Sequence, residues 1–522
     1  MNDVADLAAH RALVERLARP EAWFEPVEGF ERIETHISSV VLAGPYALKL
    51  KKPLRLEFLD FSTAALRRHS CDEELRINRR TAPQLYLRVV ALTGSAQQPR
   101  IDGLGEPFEW GVLMRRFDNA GLLDRLARDG RLGGSQVDAL AACIARMHGE
   151  EPPSPAGFGE PTSIARWAED NLRELQRDGR DDERERLDAL ARWTHGTHAH
   201  LAPLMAQRRA GGFVREGHGD LHLGNIVLLD GQPVPFDAIE FNPALRHLDV
   251  IDDVSFTFMD VWAHGRPDLA WRLISGYLGH TGDYAGAPLL RWYAVYRALV
   301  RAKVAGLRAR QGGDDAAGTR RLHLDLAERL QRAPQPWLVV MFGLSGSGKS
   351  TVAQGLVESL GAVCVRSDVE RKRLFGLAPT ERVGDEAALY RTEATARTYD
   401  RLGEAAAALL RGRINAIVDA ACLRRHERDA LRAVAAQRGA RFVIVECTAP
   451  DAVLRQRVVQ RAAQGRDASD ATLDVLSLQQ RVGEPLAADE RADAVRIDTD
   501  VAVASLQHRC RALAAGWAGI SA

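Results

Sequence analysis

Short apolar runs open the chain. Val40-Val-Leu-Ala-Gly and the alternating Pro45-Tyr-Ala-Leu-Lys-Leu-Lys predict a strand hairpin ending before Pro53. A helix is expected over about 62–80, then strands over 85–92 and 110–114. From Asp118 onward helical spacing dominates, with Leu122, Leu123, Leu126 and Leu132 in phase. The proline-rich stretch at 149–157 reads as a loop inside one domain. A firmer boundary follows at 311–336. There Gln311-Gly-Gly-Asp-Asp breaks a helix, a short amphipathic segment runs to about Arg332, and Ala333-Pro-Gln-Pro ends it. Beyond it, five short apolar runs (338–342, 362–366, 414–419, 441–447 and 494–497) read as buried strands separated by helices. That alternation predicts a doubly wound parallel sheet. The expected division is a domain over 1–315, a linker over 316–335 and a second domain over 336–522.

Composition narrows the class. With 522 residues the chain exceeds one ordinary domain, and 46% hydrophobic against 27% charged residues suits packed cores. Acidic and basic groups balance at 70 each, so no global field draws nucleic acid or anionic membrane. The six cysteines form no C-x-x-C pair, which fits reduced thiols in a cytosol. The start carries early acids and no apolar core, so it does not read as a signal peptide. No run approaches the roughly 18–20 apolar residues of a membrane span. The expected location is cytoplasmic, with no membrane partner and the oligomeric state open. Of the 70 basic residues only six are lysine (Lys49, Lys51, Lys52, Lys303, Lys349 and Lys372), so each lysine marks a place where a compact ammonium suits better than a planar fork.

Lys349 falls inside a complete G-x-x-x-x-G-K-[ST] motif: Gly343, Leu344, Ser345, Gly346, Ser347, Gly348, Lys349, Ser350 and Thr351. It follows an expected strand and opens a helix, the context in which backbone N–H groups and the helix N-terminus cradle phosphate. Lys349 is expected on the β- and γ-phosphates of ATP and Ser350 on Mg²⁺. Asp368, at the end of the second strand, is the candidate base for an acceptor hydroxyl. The neighbouring Arg371-Lys372-Arg373 is a candidate grip for an anionic substrate. Asp419, ending the third strand, is a second candidate for Mg²⁺. Arg455, Arg457 and Arg461 share one helix, and Arg457 and Arg461 share a face suited to closing over transferring phosphate.

A second chemistry lies upstream in His218-Gly-Asp-Leu-His-Leu-Gly-Asn225, with Phe236-Asp237 following after a strand pair that turns at Asp230-Gly231. The spacing places a catalytic base (Asp220), a metal-binding amide (Asn225) and a metal-binding carboxylate (Asp237) around one nucleotide, with oxygen ligands suited to Mg²⁺. A rival takes His218, Asp220 and His222 as transition-metal ligands but leaves Asn225 and Asp237 unexplained. His195, His198 and His200 read as an exposed helix end.

HGDLHLGN followed by FDAIE resembles the catalytic and metal loops of aminoglycoside phosphotransferases and of related choline-type and protein-kinase-like enzymes. The resemblance, over about 30–305, implies a bilobal protein-kinase-like fold. It implies that Lys49 of Ala47-Leu-Lys holds the α- and β-phosphates, with Lys51 and Lys52 as competitors. Glu74 would be its partner, with Glu73 as fallback. Leu113-Met-Arg-Arg-Phe117 would be the hinge, with Met114 and Arg116 at the adenine. Arg246, Asp249 and Asp252 would brace the catalytic loop. No G-x-G-x-x-G precedes Lys49, so the 38–44 hairpin is expected to cover the phosphates. The region from 336 resembles P-loop small-molecule and polynucleotide kinases, a group including gluconate kinase and zeta-toxin-like kinases, but has no D-x-D after strand two. The whole arrangement is similar to bacterial bifunctional aminoglycoside phosphotransferase/ATP-binding proteins.

The expected fold is therefore a two-domain mixture of α/β and α+β. The expected function is a kinase with two Mg²⁺–ATP sites, each phosphorylating a small-molecule hydroxyl. Two alternatives stand beside it: an N-terminal ligand sensor that regulates the P-loop domain, and a P-loop polynucleotide 5′-hydroxyl kinase.

Overall fold

The computed structural model describes residues 3–56, 59–179, 181–310, 316–378, 381, 392–464, 469 and 471–519. The break expected at Gln311–Asp315 lies outside them. The chain forms two compact units. The first comprises Met1–Leu132, Arg146–Glu160 and Arg208–Asp253; the second comprises Gly133–Ala145, Pro161–Gln207 and Val254–Ala522.

In the first unit, β1 (Glu31–Glu34), β2 (Ser38–Ala43), β3 (Tyr46–Lys51), β6 (Tyr86–Ser95), β7 (Gln98–Ile101) and β8 (Glu109–Arg115) form an antiparallel sheet in the order β1-β2-β3-β8-β6-β7. A two-residue ribbon, β4 (Arg55–Leu56) with β5 (Leu59–Asp60), follows β3. Alternation along β3 decides which face does what. Leu48 and Leu50 turn into a core with Leu13, Val14 and Leu17 of the Asp3–Leu17 helix. Lys49 and Lys51 therefore share the opposite face, where the Ala64–Asn78 helix lies. That helix is capped by Thr63, whose hydroxyl accepts from Leu66 N–H at 3.2 Å.

Two ribbons frame the loop that follows: β9 (Val214–Glu216) pairs with β12 (His247–Asp249), and β10 (Ile226–Leu229) with β11 (Gln232–Pro235). The second turns at Asp230 (φ 49°) and Gly231 (φ 77°), the two left-handed residues of a type I′ hairpin. The proline-rich stretch at 149–157 runs beside β9, with Ser154 N–H donating to Val214 O at 2.9 Å.

The second unit holds a five-stranded, wholly parallel sheet: β13 (Trp337–Phe342), β14 (Ala362–Arg366), β15 (Asn415–Asp419), β16 (Arg441–Thr448) and β17 (Ala494–Asp498), in the order β14-β15-β13-β16-β17. β13 is central and carries the phosphate loop at its C-terminal end. Its core joins Val339, Met341, Val352, Leu356 and Val445. Edge strand β14 is covered by the Pro267–Thr281 helix: Cys364 N–H donates to Ser275 Oγ at 3.0 Å, and Trp271 packs on Gly361. The region drawn as a linker is largely the Ala316–Gln331 helix, packed on Ala287–Arg310. Its Arg320 is buried against Glu183 at 2.8 Å.

Candidate active sites

In the first unit one buried carboxylate organises two lysines. Glu74, with no exposed surface, accepts from Lys49 Nζ at 2.8 Å on one oxygen and from Lys51 Nζ on the other. Lys49 also pairs with Asp237, and Lys51 with Glu240. Burial pushes the Glu74 carboxyl up, but the two ammonium ions override it and hold it down to about 2. Burial likewise works against the charge on Lys49, and Asp237 and Glu74 outweigh it, so its pKa stands well above the ordinary value. Glu73 is not the partner; it binds Arg76 and Arg246.

Asp237 has φ 63°, a left-handed position, fixed by its N–H on the Tyr86 hydroxyl at 3.1 Å and by Ala238 N–H on Asn78 Oδ1 at 2.9 Å. Asn225 Nδ2 donates to Asp220 Oδ2 and to Asp220 O, both at 3.0 Å. Asp220 and Asp237 keep side-chain exposures of 40% and 39%, so both carboxylates remain reachable in an otherwise buried site. The His218 ring is consumed by the loop itself: Nε2 donates to Phe236 O at 2.9 Å and Nδ1 accepts from Asp220 N–H at 3.3 Å. His222 Nδ1 accepts from Gly224 N–H at 3.1 Å. Those bonds take both His218 nitrogens and Nδ1 of His222, while His222 Nε2 stands 3.5 Å from Asp220 Oδ2, so of the transition-metal set the His218 ring is already spent. In the second unit His195 pairs with Glu169 and His198 with Pro161 O, so that trio does not converge.

Several expectations need correction. Asp253, next to the expected Asp252, braces the loop: its oxygens accept from His218 N–H at 2.7 Å and Gly219 N–H at 3.0 Å, with His148 Nε2 3.2 Å away. Burial raises its pKa, but those partners hold it down to about 2. Asp249 instead pairs with Arg208 at 2.8 Å, and Arg246 with Glu73 and Glu216. Ser38 and Ser39 are buried in β2, and Ser39 Oγ bonds His10 and Glu34 at 3.0 Å, so neither covers phosphate. The turn on the lysine side of the sheet is 35–37, between β1 and β2, where Lys52 Nζ donates to Thr35 O at 2.6 Å. Met114 lies within β8, in register with Ala47 and Tyr86, and Arg116 N–H donates to Pro45 O at 2.8 Å. Sequence reasoning missed Asp253, His148 and Glu240; only the second carboxylate in FDAIE offered a signal.

In the second unit the phosphate loop is a backbone cradle. A Cβ on Gly343 (φ 145°) would stand 2.5 Å from Cys447 O, and one on Gly346 (φ 82°) 2.6 Å from Leu454 O, so only glycine fits. Lys349 Nζ folds back on the carbonyls of Gly343 at 2.9 Å and Leu344 at 2.8 Å. Burial lowers its pKa, partly offset by Asp419. Ser350 Oγ donates to Asp419 Oδ2 at 2.7 Å. Ser345 N–H donates to Gln479 Oε1 at 2.8 Å, and Ser347 O accepts from Thr499 Oγ1 at 2.9 Å. Leu344 packs beside Phe342, and Thr351 lines the cavity.

That cavity, about 1250 Å³, also takes in Asp368, Arg366, Arg371 and Arg461. Asp368 pairs with Arg371 at 3.2 Å. The three arginines of the 451–464 helix divide. Arg455 pairs with Asp451, and Arg457 ties Gly346 O (3.3 Å) to Thr499 O (2.8 Å), so it holds the loop. Arg461 lines the cavity, with a buried Nη2 that has no hydrogen-bond partner among the described residues. The expected cluster Arg371-Lys372-Arg373 is no surface track: Lys372 is buried and Arg373 binds Glu370 and the carbonyls of Gly279 and His280.

Residues 46–237 match the phosphotransferase enzyme family, and residues 338–486 match the AAA domain family. Uncharacterized proteins of Mycobacterium tuberculosis and Mycobacterium bovis are 33% identical over 454 residues, covering 86% of this chain and 89% of theirs. Among solved structures, a gluconokinase from Sinorhizobium meliloti 1021 is 22% identical, covering 36% of this chain and 95% of that one, with a TM-score of 0.27. A choline/ethanolamine kinase family protein from Mesorhizobium loti is 14% identical, covering 62% and 95%, with a TM-score of 0.39. The chain belongs to the family of the mycobacterial proteins and joins a phosphotransferase domain to a P-loop kinase-like domain, both of kinase-type families.

Proposed function

We propose that this member of that family is a kinase with two Mg²⁺–ATP sites, each handing the γ-phosphoryl group to a hydroxyl of a small molecule. The functional division we propose is 1–315 and 336–522, joined through 316–335. One observation carries the reading. Each half gathers a phosphate-side lysine, a pair of metal-binding oxygens and a further carboxylate: Lys49 with Asn225, Asp237 and Asp220, and Lys349 with Ser350, Asp419 and Asp368.

The donor sets are oxygen-only, as Mg²⁺ prefers. In the first half Asn225 spends its Nδ2 on Asp220 and keeps Oδ1 for the metal, beside Asp237. In the second, Ser350 and Asp419 would hold it. When bound, Mg²⁺ supplies positive charge against the phosphate oxygens. The residues of the chain do the rest. Lys49 exchanges Asp237 for the nucleotide phosphates while Glu74 keeps it in place. Lys349 leaves the Gly343 and Leu344 carbonyls for the β- and γ-phosphates. Asp220 or Asp368 takes the acceptor's proton as its oxygen bonds to phosphorus and the β–γ bridge breaks, with ADP leaving. Arg461 adds charge where phosphate is transferred.

The test is a transfer screen with γ-labelled ATP over sugars, nucleosides, aminoglycosides and 5′-hydroxyl RNA, repeated with Asp237→Asn and with Lys349→Ala. Labelling of one acceptor should vanish with the first change and labelling of another with the second. Loss of every labelled product in both variants alike would contradict two sites, and labelled RNA lost with Lys349→Ala would favour the polynucleotide kinase.

A further inference from the structure

The helix that carries Asp368 is short. Ser367–Leu374 follows β14 directly and spans eight residues, too few to hold a helix on its own propensity. Its position is set by what it packs against. Asp368 and Arg371 face the cavity. Glu370 faces away, with no exposed surface, and accepts from the Tyr284 hydroxyl at 3.1 Å and from Arg401 Nε at 3.2 Å. Arg373, one turn on, pairs with it as well. The same two arginines continue to the backbone of one turn: Arg373 to Gly279 O at 2.6 Å, and Arg401 to Gly282 O at 2.9 Å. Gly282, at φ 71°, ends the Pro267–Thr281 helix, so these carbonyls are the orphan acceptors of a helix C-terminus, met by cationic donors. Tyr284, Glu370, Arg373 and Arg401 are not among the described residues lining the cavity.

We infer that Tyr284 and Glu370 are positioning residues for the P-loop site: the 279–284 turn grips the Ser367–Leu374 helix through Glu370 and thereby sets where Asp368 and Arg371 stand. This rests on the reading of Asp368 as the residue that serves the phosphoryl acceptor. Tyr284, Arg373 and Arg401 all meet the Glu370 carboxylate, so loosening it weakens the grip on the helix, leaving Arg373 on Gly279 O, while the phosphate loop, held by Arg457, Thr499 and Gln479, stays in place.

The test uses the full chain with the first site silenced by Asp237→Asn and water as acceptor, so that MgATP hydrolysis reports P-loop turnover. In Tyr284→Phe and in Glu370→Gln, turnover should fall about tenfold or more while the calorimetric Kd for MgATP stays within about twofold. Amides of 367–374 should exchange about tenfold faster or more, and those of the Lys349–Leu360 helix should not change. A merely structural role would move nucleotide affinity and both helices together, and that result would overturn the inference. Asp368→Asn separates the two readings. If it leaves turnover intact, the assignment of Asp368 fails and the inference falls with it. If it abolishes turnover while Tyr284→Phe and Glu370→Gln retain it, the assignment stands and the positioning role is refuted. Should Glu370→Gln not fold, Tyr284→Phe, which removes one hydroxyl, decides alone.

Discussion

Replacing Lys51 by methionine should unfold the first unit more readily than replacing Lys49, and should disturb nucleotide binding less. Lys51 and Glu240 have side-chain exposures of 0% and 4%, whereas Lys49 has 8% but its partner Asp237 has 39%. Lys51→Met strands Glu240 as a buried, unpaired charge, and breaking such a pair costs about 3–5 kcal/mol. Lys49→Met leaves Asp237 to water and Glu74 to Lys51, so the stability cost should be about 1–2 kcal/mol. Converting Glu240 as well, in Lys51→Met/Glu240→Gln, removes the stranded charge and should restore at least about 2 kcal/mol, a coupling energy read from a double-mutant cycle. The assay pairs urea unfolding of each variant with calorimetric titration of MgATP into a Lys349→Ala background. Lys49→Met should then lose affinity while Lys51→Met retains it. If Lys51→Met lost affinity at unchanged stability, or Lys49→Met proved the more destabilised, the roles of the two lysines would be exchanged and the account of Glu74 wrong.

Asp237→Asn, chosen because asparagine tolerates the left-handed backbone at φ 63°, should weaken MgATP binding at the first site about tenfold or more, whereas Asp220→Asn should leave affinity nearly unchanged and stop transfer. Equal loss of affinity in both would show the two carboxylates misassigned. Arg461→Ala should lower kcat at the P-loop site about tenfold or more with little change in nucleotide affinity, and an unchanged kcat would remove Arg461 from the transfer step. Acid should destabilise the first unit. Asp253 is held at about 2 against an ordinary 3.8, so the unfolded chain takes up protons first, and its share of stability is complete above about pH 5 and lost as pH falls towards 2. The shift corresponds to about 2 kcal/mol, and Asp253→Asn should flatten that part of the pH–stability curve.

The parallel sheet was legible because its strands are short apolar runs, most of them closed by glycine or a charged residue, and β14 falls on the expected 362–366. The phosphate loop was legible because its motif states the backbone geometry outright. Asp220, Asn225 and Asp237 were expected from residue types at fixed spacing and Lys49 from the resemblance, and the structure brings Lys49 to Asp237 and Asn225 to Asp220. What escaped depends on direction in space. Asp252 and Asp253 are adjacent and chemically alike, and the sequence does not show that Asp253 meets the N–H groups of His218 and Gly219. Arg457 and Arg461 share a helical face and both line the cavity, yet only Arg457 is bonded to Gly346 and Thr499. The engagement of Arg373 was hidden because the carbonyls of Gly279 and His280 that it meets lie about 90 residues upstream, beyond any local pattern.

The most direct measurement of two independent ATP sites is the stoichiometry of MgATP binding by calorimetry in four full-length proteins. The unaltered chain should bind two equivalents, Asp237→Asn and Lys349→Ala one each under conditions where the altered site is unsaturated, and the double variant none. A single equivalent in the unaltered chain, or retention of both in either single variant, would contradict the account.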